Sequence, residues 1–397
     1  MLERSFVFSK AEARAYILAS RFSFTETQKK QRNEVVLTKI KAHHLYQQSK
    51  TVAIYFPIQS EIDITDLCKD KTKVFLFPAF VDEELKYVVP KSGTKFIKRF
   101  NFFEPAEFEL FSEPIDVFLL PCLAVNECGQ RLGYGKGNID RYFANLNYLP
   151  SLIHVADRLL SFQAEPHDVK TDLVITPFLN TALILAAGQS SRFGEDKCLK
   201  ELAGLPVFMH SVNTFLKNGF ECILVGNDNL FADFLKNQVE IPEIILTKGG
   251  ENRFLSMQNG LRLATGTNVY IHDAARPIIS DVDLKGISEV LLSKTGAVLA
   301  NPVYSSLKNY KGETLDKSNF FTTITPQAFL KSKLKELVSV AKKTEYQDEF
   351  ELFSEHSEPF TLLLSENRAP KITTTADFLV NQALLFKPSL VGSSFDI

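Results

Sequence analysis

The chain has 397 residues, of which 45% are hydrophobic and 23% are charged, a composition typical of a globular protein with two domains. Its net charge of −2 excludes a general attraction to nucleic acid or anionic membranes, so any anion must bind at a local cluster. The five cysteines are scattered and lack C-x-x-C spacing, which argues against a zinc site or a disulfide framework and favours a reducing compartment. No apolar run reaches the roughly 18 residues of a membrane helix, so we predict a soluble, cytoplasmic protein with no membrane or nucleic-acid partner.

The N-terminal segment favours helices followed by strands. Residues 9–48 carry apolar residues at helical spacing, which predicts two helices, the first capped by Ser9. Lys10 and Arg14 then share one helical face, where they either hold an anionic ligand or are both solvated. Short buried strands are predicted at 51–56, 73–77 and 117–121, the first two stopped by prolines. Strands that alternate with helices indicate an α/β sheet, whose ligands bind beyond the carboxyl ends of the strands.

A glycine-rich loop follows the third predicted strand. Its glycines alternate with other residues, and two cations flank them: Gly133, Gly135, Gly137, Arg131 and Lys136. Such a loop can lay its N–H groups along a polyphosphate. Asp140 follows one turn later, where it could hold a magnesium ion that bridges the phosphates.

These segments together resemble the 5-formyltetrahydrofolate cyclo-ligases, also called methenyltetrahydrofolate synthetases. That family is marked by a Lys and an Arg four residues apart, by Pro-x-x-x-Glu-x-Asp, and by Arg-Leu-Gly-x-Gly-Lys-Gly-Tyr-Tyr-Asp-Arg. The chain supplies the matching positions Lys10, Arg14, Pro57, Glu61, Asp63 and 131–141. The resemblance covers roughly residues 8–176 and implies a first domain at 1–178.

The resemblance implies ATP-dependent closure of 5-formyltetrahydrofolate to the 5,10-methenyl form with magnesium. ATP would be held by Lys10, Arg14, Arg131, Gly133, Gly135, Lys136 and Gly137, with Lys136 also catalytic. Asp140 would bind the metal and Glu61 the folate. Asn138 and Ile139 replace the family's paired tyrosines and remove aromatic rings that could stack on a flat pterin. A domain that kept this fold as a non-catalytic binding or scaffold module is the alternative.

In the second half, an apolar strand runs into a turn of small residues and then into two cations. Ala186, Ala187 and Gly188 let a ligand approach the backbone closely. Arg192 and Lys197 add charge where phosphates would lie. The spacing is not that of a P-loop, and a tight turn with two solvated cations is the alternative.

Further polar motifs follow at strand and helix ends. A glycine pair at 249–250 precedes a helix start, which places N–H donors where a nucleotide could bind. A predicted strand ends at Asp273, with Arg276 three residues later; a local salt bridge is the alternative for this pair, which we reject for Asp273. For His272, a satisfied histidine at a strand end is favoured over a functional role. A hairpin is predicted at 309–313.

These motifs resemble, in order, the 2-C-methyl-D-erythritol 4-phosphate cytidylyltransferases of the non-mevalonate isoprenoid pathway. The match runs from about 181 to 385 and implies a second domain at 179–397 with a doubly wound α/β core, a β-arm that builds a homodimer, and use of CTP with magnesium. CTP would be framed by Ala186, Ala187, Gly188, Gly250, Glu251 and Ser256. The catalytic cations at the α-phosphate would be Arg192, Lys197 and Lys371. The methylerythritol phosphate would be positioned by Asp273, Arg276, Lys317 and Gln347.

The second domain departs from that family at several positions. Lys197 follows Asp196, whereas Pro-Lys is usual in that family. The Asp-Lys pattern of this chain is also found in molybdenum-cofactor nucleotidyltransferases. Lys317 replaces an arginine and so loses bidentate geometry for phosphate, and Gln347 replaces a threonine. The two resemblances together predict a bifunctional enzyme with both activities. The departures in the second domain leave open a different acceptor, another alditol phosphate such as ribitol 5-phosphate.

Overall fold

The computed structural model describes residues 8–21, 24–58, 60–99, 102–126, 128–135, 137–160, 162–165, 170–188, 197–236 and 244–386. The chain divides into two compact units, one spanning Phe6–Phe178 and the other beginning at Leu179. Within these described ranges, no helix combines the length and the hydropathy needed to span a membrane.

The first unit is built from helices and strands whose bounds follow. The helices are α1 (Lys10–Arg21), α2 (Glu26–Ala42), α3 (His44–Gln48) and α4 (Asn138–Ala144). The strands are β1 (Thr51–Ala53), β2 (Val74–Val81), β3 (Glu84–Pro90), β4 (Phe96–Arg99), β5 (Phe102–Pro105), β6 (Phe108–Leu110), β7 (Val117–Val125), β8 (Arg131–Leu132), β9 (Ser151–Leu159) and β10 (Leu173–Ile175). A 3₁₀ helix covers Thr65–Lys69.

Side-chain caps explain where the first helices begin. The Ser9 hydroxyl accepts a hydrogen bond from the Glu12 amide at 3.3 Å, and the Glu12 carboxylate accepts one from the Ser9 amide at 2.8 Å, which confirms the predicted cap. Thr25 and Gln28 form the same reciprocal arrangement at the start of α2. His43 has extended backbone angles, so the described part of the segment forms three helices and not the two that were predicted.

The sheet of the first unit has the strand order β10-β9-β7-β1-β2-β3-β6. Its first five strands are parallel and the last two antiparallel. The predicted strand ends were wrong, because β2 continues through Pro78 to Val81 and β7 through Pro121 to Val125, whereas β1 stops at Ala53. Both prolines lie beyond the last residue that β1 pairs, where one edge is open and a missing N–H is tolerated.

The second unit has the following helices and strands. The helices are α5 (Val207–Lys217), α6 (Asp228–Lys236), α7 (Arg253–Leu263), α8 (Asp281–Val290), α9 (Lys331–Ser339), α10 (Glu349–Glu355) and α11 (Thr375–Phe386). The strands are β11 (Asn180–Leu185), β12 (Glu201–Leu202), β13 (Leu205–Pro206), β14 (Glu221–Gly226), β15 (Ile244–Lys248), β16 (Asn268–Asp273), β17 (Gly296–Pro302), β18 (Leu307–Lys308), β19 (Thr314–Leu315), β20 (Phe321–Leu330) and β21 (Thr361–Leu364). A 3₁₀ helix covers Lys317–Asn319.

The central sheet of the second unit is covered by helices on both faces, which confirms the predicted doubly wound core. Its strand order is β15-β14-β11-β16-β20-β17-β21, with β20 antiparallel to its neighbours. Phe208, Phe215 and Ile287 pack on one face, whereas Met257 and Leu334 pack on the other. The predicted hairpin is formed by β18 and β19.

Parallel pairing brings several chain segments to one edge of this sheet. Leu185 at the end of β11 lies opposite Asp273 at the end of β16, and Gly226 at the end of β14 lies opposite Lys248. The small-residue turn after β11, the glycine pair after β15 and the carboxylate that ends β16 therefore share the carboxyl edge, where α/β sheets bind ligands.

Candidate functional sites

A cavity of about 1140 Å³ in the first unit collects the predicted site residues. It is lined by the eight that the structure describes: Lys10, Arg14, Glu61, Arg131, Gly133, Gly135, Gly137 and Asp140. Lys136, the ninth, lies outside the described residues. Helix α1, a segment that follows β1 and the loop after β8 thus line one cavity, although Arg14 on the helix and Gly133 in the loop are 119 residues apart in the chain.

The glycine-rich loop is fixed against α1. Arg14 Nε donates a hydrogen bond to the Gly133 carbonyl at 2.9 Å. Gly135 has φ +89°, and a Cβ at this position would lie 3.3 Å from Cζ of Arg14. Only glycine adopts this backbone region without strain, so the loop can follow the guanidinium closely. Lys10 also faces the cavity, where its ammonium lies 3.1 Å from Glu165 Oε2.

Arg131 and Asp140 pair with each other in the cavity wall. One guanidinium nitrogen of Arg131 lies 3.2 and 3.0 Å from the two carboxylate oxygens of Asp140. Among the described residues, no group of three or more His, Cys, Asp or Glu side chains could hold a metal. A magnesium ion usually takes one or two carboxylates and fills its shell with phosphates and water, and Asp140 fits that limited role.

Glu61 lies in a charged network that the sequence did not reveal. Its carboxylate accepts a hydrogen bond from the Ile58 amide at 2.9 Å and another from the Tyr134 hydroxyl. Arg21 donates to that hydroxyl and to Asp157, both at short range. Burial raises the pKa of Glu61 to about 7, although its hydrogen bonds and Arg21 oppose the shift.

One signal could have found Arg21 from the sequence alone. It follows Arg14 by seven residues on the same helix, and this spacing puts both side chains on one face. No comparable local signal identifies Asp157, which lies between Ala156 and Arg158 on the buried strand β9.

The positions that lack the family tyrosines have other roles here. Ile139 packs with the apolar cluster that contains Tyr87 and Phe118, and the Asn138 side chain accepts a hydrogen bond from Arg141. The cavity nevertheless keeps aromatic walls. Phe56 and Phe103 both line it, with ring centroids 5.1 Å apart. A flat apolar ligand therefore still meets rings in this cavity.

In the second unit, the small-residue turn and the glycine pair are in direct contact. A Cβ added to Gly249 would lie 2.4 Å from the Cβ of Ala187, so the Ala187 methyl group packs directly against the glycine backbone. The Ser256 hydroxyl accepts a hydrogen bond from the Gly250 amide at 2.9 Å and donates to the Asn252 carbonyl at 2.8 Å. The predicted CTP residues Ala186, Ala187, Gly188, Gly250, Glu251 and Ser256 thus occupy adjoining segments at the carboxyl edge.

Asp273 is surrounded by cations. Lys371 Nζ lies 2.8 Å from its Oδ2, Arg253 Nε lies 3.3 Å from its Oδ1, and Arg276 Nε lies 3.9 Å from its Oδ2. Burial alone would raise the pKa of Asp273, but these three cations outweigh it and hold the pKa well below its usual range. The group is therefore an ionised hydrogen-bond acceptor at neutral pH. The predicted residues Asp273, Arg276 and Lys371 are brought together.

Arg253 was not predicted as a site residue. It pairs with Asp273 and also with both carboxylate oxygens of Glu349, at 2.7 and 3.1 Å. Arg253 follows the glycine pair at 249–250 by three residues, and Glu349 is the second residue of the acidic pair Asp348-Glu349. Spacing alone could not show that they meet.

The remaining predicted residues have other surroundings. Lys317 lies on the exposed 3₁₀ helix after β19 and donates to the Tyr304 carbonyl at 2.7 Å. Gln347 is exposed, and its backbone N–H donates a hydrogen bond to Glu351 Oε2 at 2.8 Å. Lys197 is partly buried at the start of a described range, whereas Arg192 lies outside the described residues. His272 is fully buried with both ring nitrogens in hydrogen bonds, which agrees with the structural role favoured from sequence.

Comparisons with known proteins cover each unit separately. Residues 180–387 match the family model of 2-C-methyl-D-erythritol 4-phosphate cytidylyltransferase, and residues 7–177 match that of the 5-formyltetrahydrofolate cyclo-ligase family. The cytidylyltransferase of Geobacillus thermodenitrificans (strain NG80-2) is 32% identical over 220 residues, covering 51% of this chain and 96% of that protein. The cytidylyltransferase of Aquifex aeolicus (strain VF5) is 39% identical over 166 residues, covering 41% of this chain and 76% of that protein. A 5,10-methenyltetrahydrofolate synthetase structure from Mycoplasma pneumoniae has 25% identity and a TM-score of 0.34, covering 42% of this chain and 96% of that one.

Proposed function

Since the chain belongs to the 2-C-methyl-D-erythritol 4-phosphate cytidylyltransferase family over residues 180–387 and to the 5-formyltetrahydrofolate cyclo-ligase family over residues 7–177, we propose that it catalyses both reactions. The second unit would transfer a cytidylyl group from CTP to methylerythritol phosphate. The first unit would close 5-formyltetrahydrofolate to the 5,10-methenyl form at the expense of ATP. We assign these activities to residues 179–397 and 1–178, respectively.

The observation that carries the cytidylyltransferase proposal is the group of cations around Asp273 beside the glycine pair. Backbone groups at 186–188 and at Gly250 frame the nucleotide, and Ser256 fixes the glycine turn. The acceptor phosphate oxygen attacks the α-phosphorus, the bond to the β-phosphate breaks, and pyrophosphate leaves. Lys197 and Lys371, with Arg192, neutralise the charge that develops on the α-phosphate, so catalysis is positioning and electrostatic stabilisation without a protein nucleophile.

The acceptor would be held by groups on the other side of the α-phosphate. Ionised Asp273 accepts hydrogen bonds from acceptor hydroxyls, and Arg276 pairs with acceptor oxygens. Lys317 and Gln347 complete the acceptor site in this proposal. Lys317 follows the β18–β19 hairpin, which would form the homodimer contact. All five cysteines are free thiols, which suits the cytoplasmic location that we propose.

In the first unit, the cavity residues would arrange ATP against the formyl group. Lys10, Arg14 and Arg131, with Lys136, spread the charge of the transferring γ-phosphoryl group. The formyl oxygen attacks the γ-phosphorus and ADP leaves. N10 of the folate then attacks the formyl carbon, its proton passes to solvent, and the bond from that carbon to the phosphorylated oxygen breaks so that phosphate leaves. Glu61 would hold the folate in this cavity. Magnesium, when bound at Asp140 and the phosphates, would supply further charge neutralisation.

An acceptor panel tests the cytidylyltransferase proposal. The full-length protein is given CTP, magnesium and one alditol phosphate at a time, and pyrophosphate release is measured. We expect release with 2-C-methyl-D-erythritol 4-phosphate. Release with ribitol 5-phosphate, and none with methylerythritol phosphate, would contradict the assignment and favour the alternative acceptor.

Absorbance of the methenyl product tests the proposal for the first unit. Full-length protein with ATP and magnesium should convert 5-formyltetrahydrofolate, and Lys136→Ala should abolish the conversion. A folded protein that transfers cytidylyl groups but forms no methenyl product would show that the first unit is a binding or scaffold module. Asn138 and Ile139 would then be the first positions to restore to tyrosine.

A further inference from the structure

Arg253 joins two carboxylates that come from different parts of the second unit. Its Nη1 and Nη2 lie 2.7 and 3.1 Å from the two carboxylate oxygens of Glu349, and its Nε lies 3.3 Å from Asp273 Oδ1. The guanidinium thus uses its two Nη groups for a bidentate contact with Glu349 and its Nε–H group for Asp273. This planar fork cannot be reproduced by a lysine.

The Glu349 end of this bridge is rigid. Glu349 is 1% exposed and begins α10, a helix capped by Asp348. The second oxygen of Asp348 accepts hydrogen bonds from Gln327 at 2.9 Å and from Thr323 at 2.8 Å, both on β20. The side-chain Oε1 of Gln327 in turn accepts a hydrogen bond from the Phe350 backbone amide at 3.0 Å. The sheet therefore fixes the first turn of α10, and Glu349 fixes Arg253.

Lys371 competes for the same carboxylate but is less confined. It binds the other oxygen of Asp273, and 39% of its side chain is exposed, compared with 22% for Arg253. A lysine ammonium is a single mobile charge on a flexible stem. Of the two, Lys371 is therefore the cation that can leave Asp273 when a triphosphate offers more negative charge.

We propose that Arg253 is a positioning residue that holds Asp273 toward the acceptor after Lys371 has moved to the nucleotide phosphates, and that Glu349 anchors it there. The inference rests on the proposed cytidylyl transfer and assigns Arg253 and Glu349 to the acceptor half of that site. It also explains why a buried carboxylate lies so near a site for two anionic substrates. Glu349 binds one N–H of each Nη nitrogen of Arg253, and the Nε–H group is directed at Asp273.

Steady-state kinetics with varied CTP and varied methylerythritol phosphate test this assignment in the full-length protein. Glu349→Gln and Arg253→Lys should each raise KM for the acceptor by roughly tenfold or more while changing KM for CTP by less than about twofold. Glu336→Gln is the matched control, because Glu336 also pairs with a cation, Lys333 at 2.9 Å, but on the exposed face of α9. It should leave both constants unchanged.

A double-mutant cycle separates positioning from general damage. If Arg253 acts through Asp273, adding Glu349→Gln to Asp273→Asn should change the acceptor kcat/KM by less than about twofold, although Glu349→Gln alone lowers it strongly. Additive losses, or equal changes in the two KM values, would overturn the inference. Arg253→Lys keeps a cation beside Glu349, so it supplies the answer if Glu349→Gln fails to fold. Wild-type protein that transfers cytidylyl groups to no acceptor would instead overturn the proposed function, and the inference with it.

Discussion

Arg131 and Asp140 are joined in the cavity wall of the first unit by contacts of 3.0 and 3.2 Å. The sequence predicted them as separate ligands, an arginine for ATP and an aspartate for magnesium. In the structure each neutralises the other, and Arg131 is 7% exposed. A buried ion pair gains little net stability, because its attraction offsets the cost of removing two charges from water. The pair is therefore available to open when phosphates and magnesium supply better partners.

Asp140→Asn should impair the cyclo-ligase reaction through its metal dependence. The amide cannot supply the anionic ligand, so we expect turnover to fall by about 100-fold and the half-saturating magnesium concentration to rise. Methenyl product formation across a magnesium titration measures both. Asp66→Asn, which removes an exposed pair with Lys69, is the control. Unchanged magnesium dependence in Asp140→Asn would remove this residue from the metal site.

Lys197→Ala should reduce cytidylyl transfer by orders of magnitude with little effect on folding. We expect kcat and kcat/KM to fall together, because the lysine would act on charge that develops in the transition state. Pyrophosphate release measures the loss, and circular dichroism checks the fold. Lys217→Ala, at an exposed pair with Asp281, should behave as wild type. Near-normal turnover in Lys197→Ala would exclude this lysine from the mechanism.

Gly250→Ala should raise KM for CTP or prevent folding of the turn. The added Cβ would lie 2.4 Å from the Leu255 Cβ and 2.9 Å from the Ser256 amide nitrogen, so the glycine turn must shift. Gly286→Ala, within α8, is the matched control, since among the described residues its Cβ would come within 4 Å of Leu363 alone, at 3.9 Å. An alanine in that helix should stabilise the protein by about 0.5–1 kcal/mol. Thermal unfolding and CTP kinetics compare the two variants, and normal CTP kinetics in Gly250→Ala would contradict the assigned nucleotide site.

Glu61 should make the stability of the protein depend on pH. Its pKa is raised from 4.5 to about 7 by burial, so between these values the folded protein keeps a proton that the unfolded chain has lost. The contribution of Glu61 to the free energy of unfolding is therefore present at low pH and is lost as the pH rises through this window.

Glu61→Gln removes this loss because glutamine cannot ionise. The thermal midpoint of the variant minus that of the wild type should therefore increase between about pH 5.5 and about pH 8. Exposed Glu109→Gln serves as the control, with a difference that stays constant. A constant difference for Glu61→Gln as well would show that its carboxyl titrates in its ordinary range.

The sequence by itself determined the features that depend on nearby residues. Helical spacing placed Lys10 and Arg14 on one face, and the glycines at 133, 135 and 137 predicted a loop after Arg131. A buried strand that ends at Asp273 predicted a site at the edge of the sheet. The α/β class of both units followed from the alternation of strands and helices. Each of these inferences uses contacts made within a few residues, which the order of side chains dictates.

Only the tertiary structure decided which distant charges meet. Arg253 joins Asp273, 20 residues away, and Glu349, 96 residues away, while Arg21 reaches Tyr134 across 113 residues. The lengths of β2 and β7 were decided in the same way, because β1 stops at Ala53 and leaves an edge that accepts Pro78 and Pro121. In each case the partner is chosen by how strands and helices pack. The spacing of residues along the chain does not predict these contacts, because side chains far apart in the sequence come together only when the core is formed.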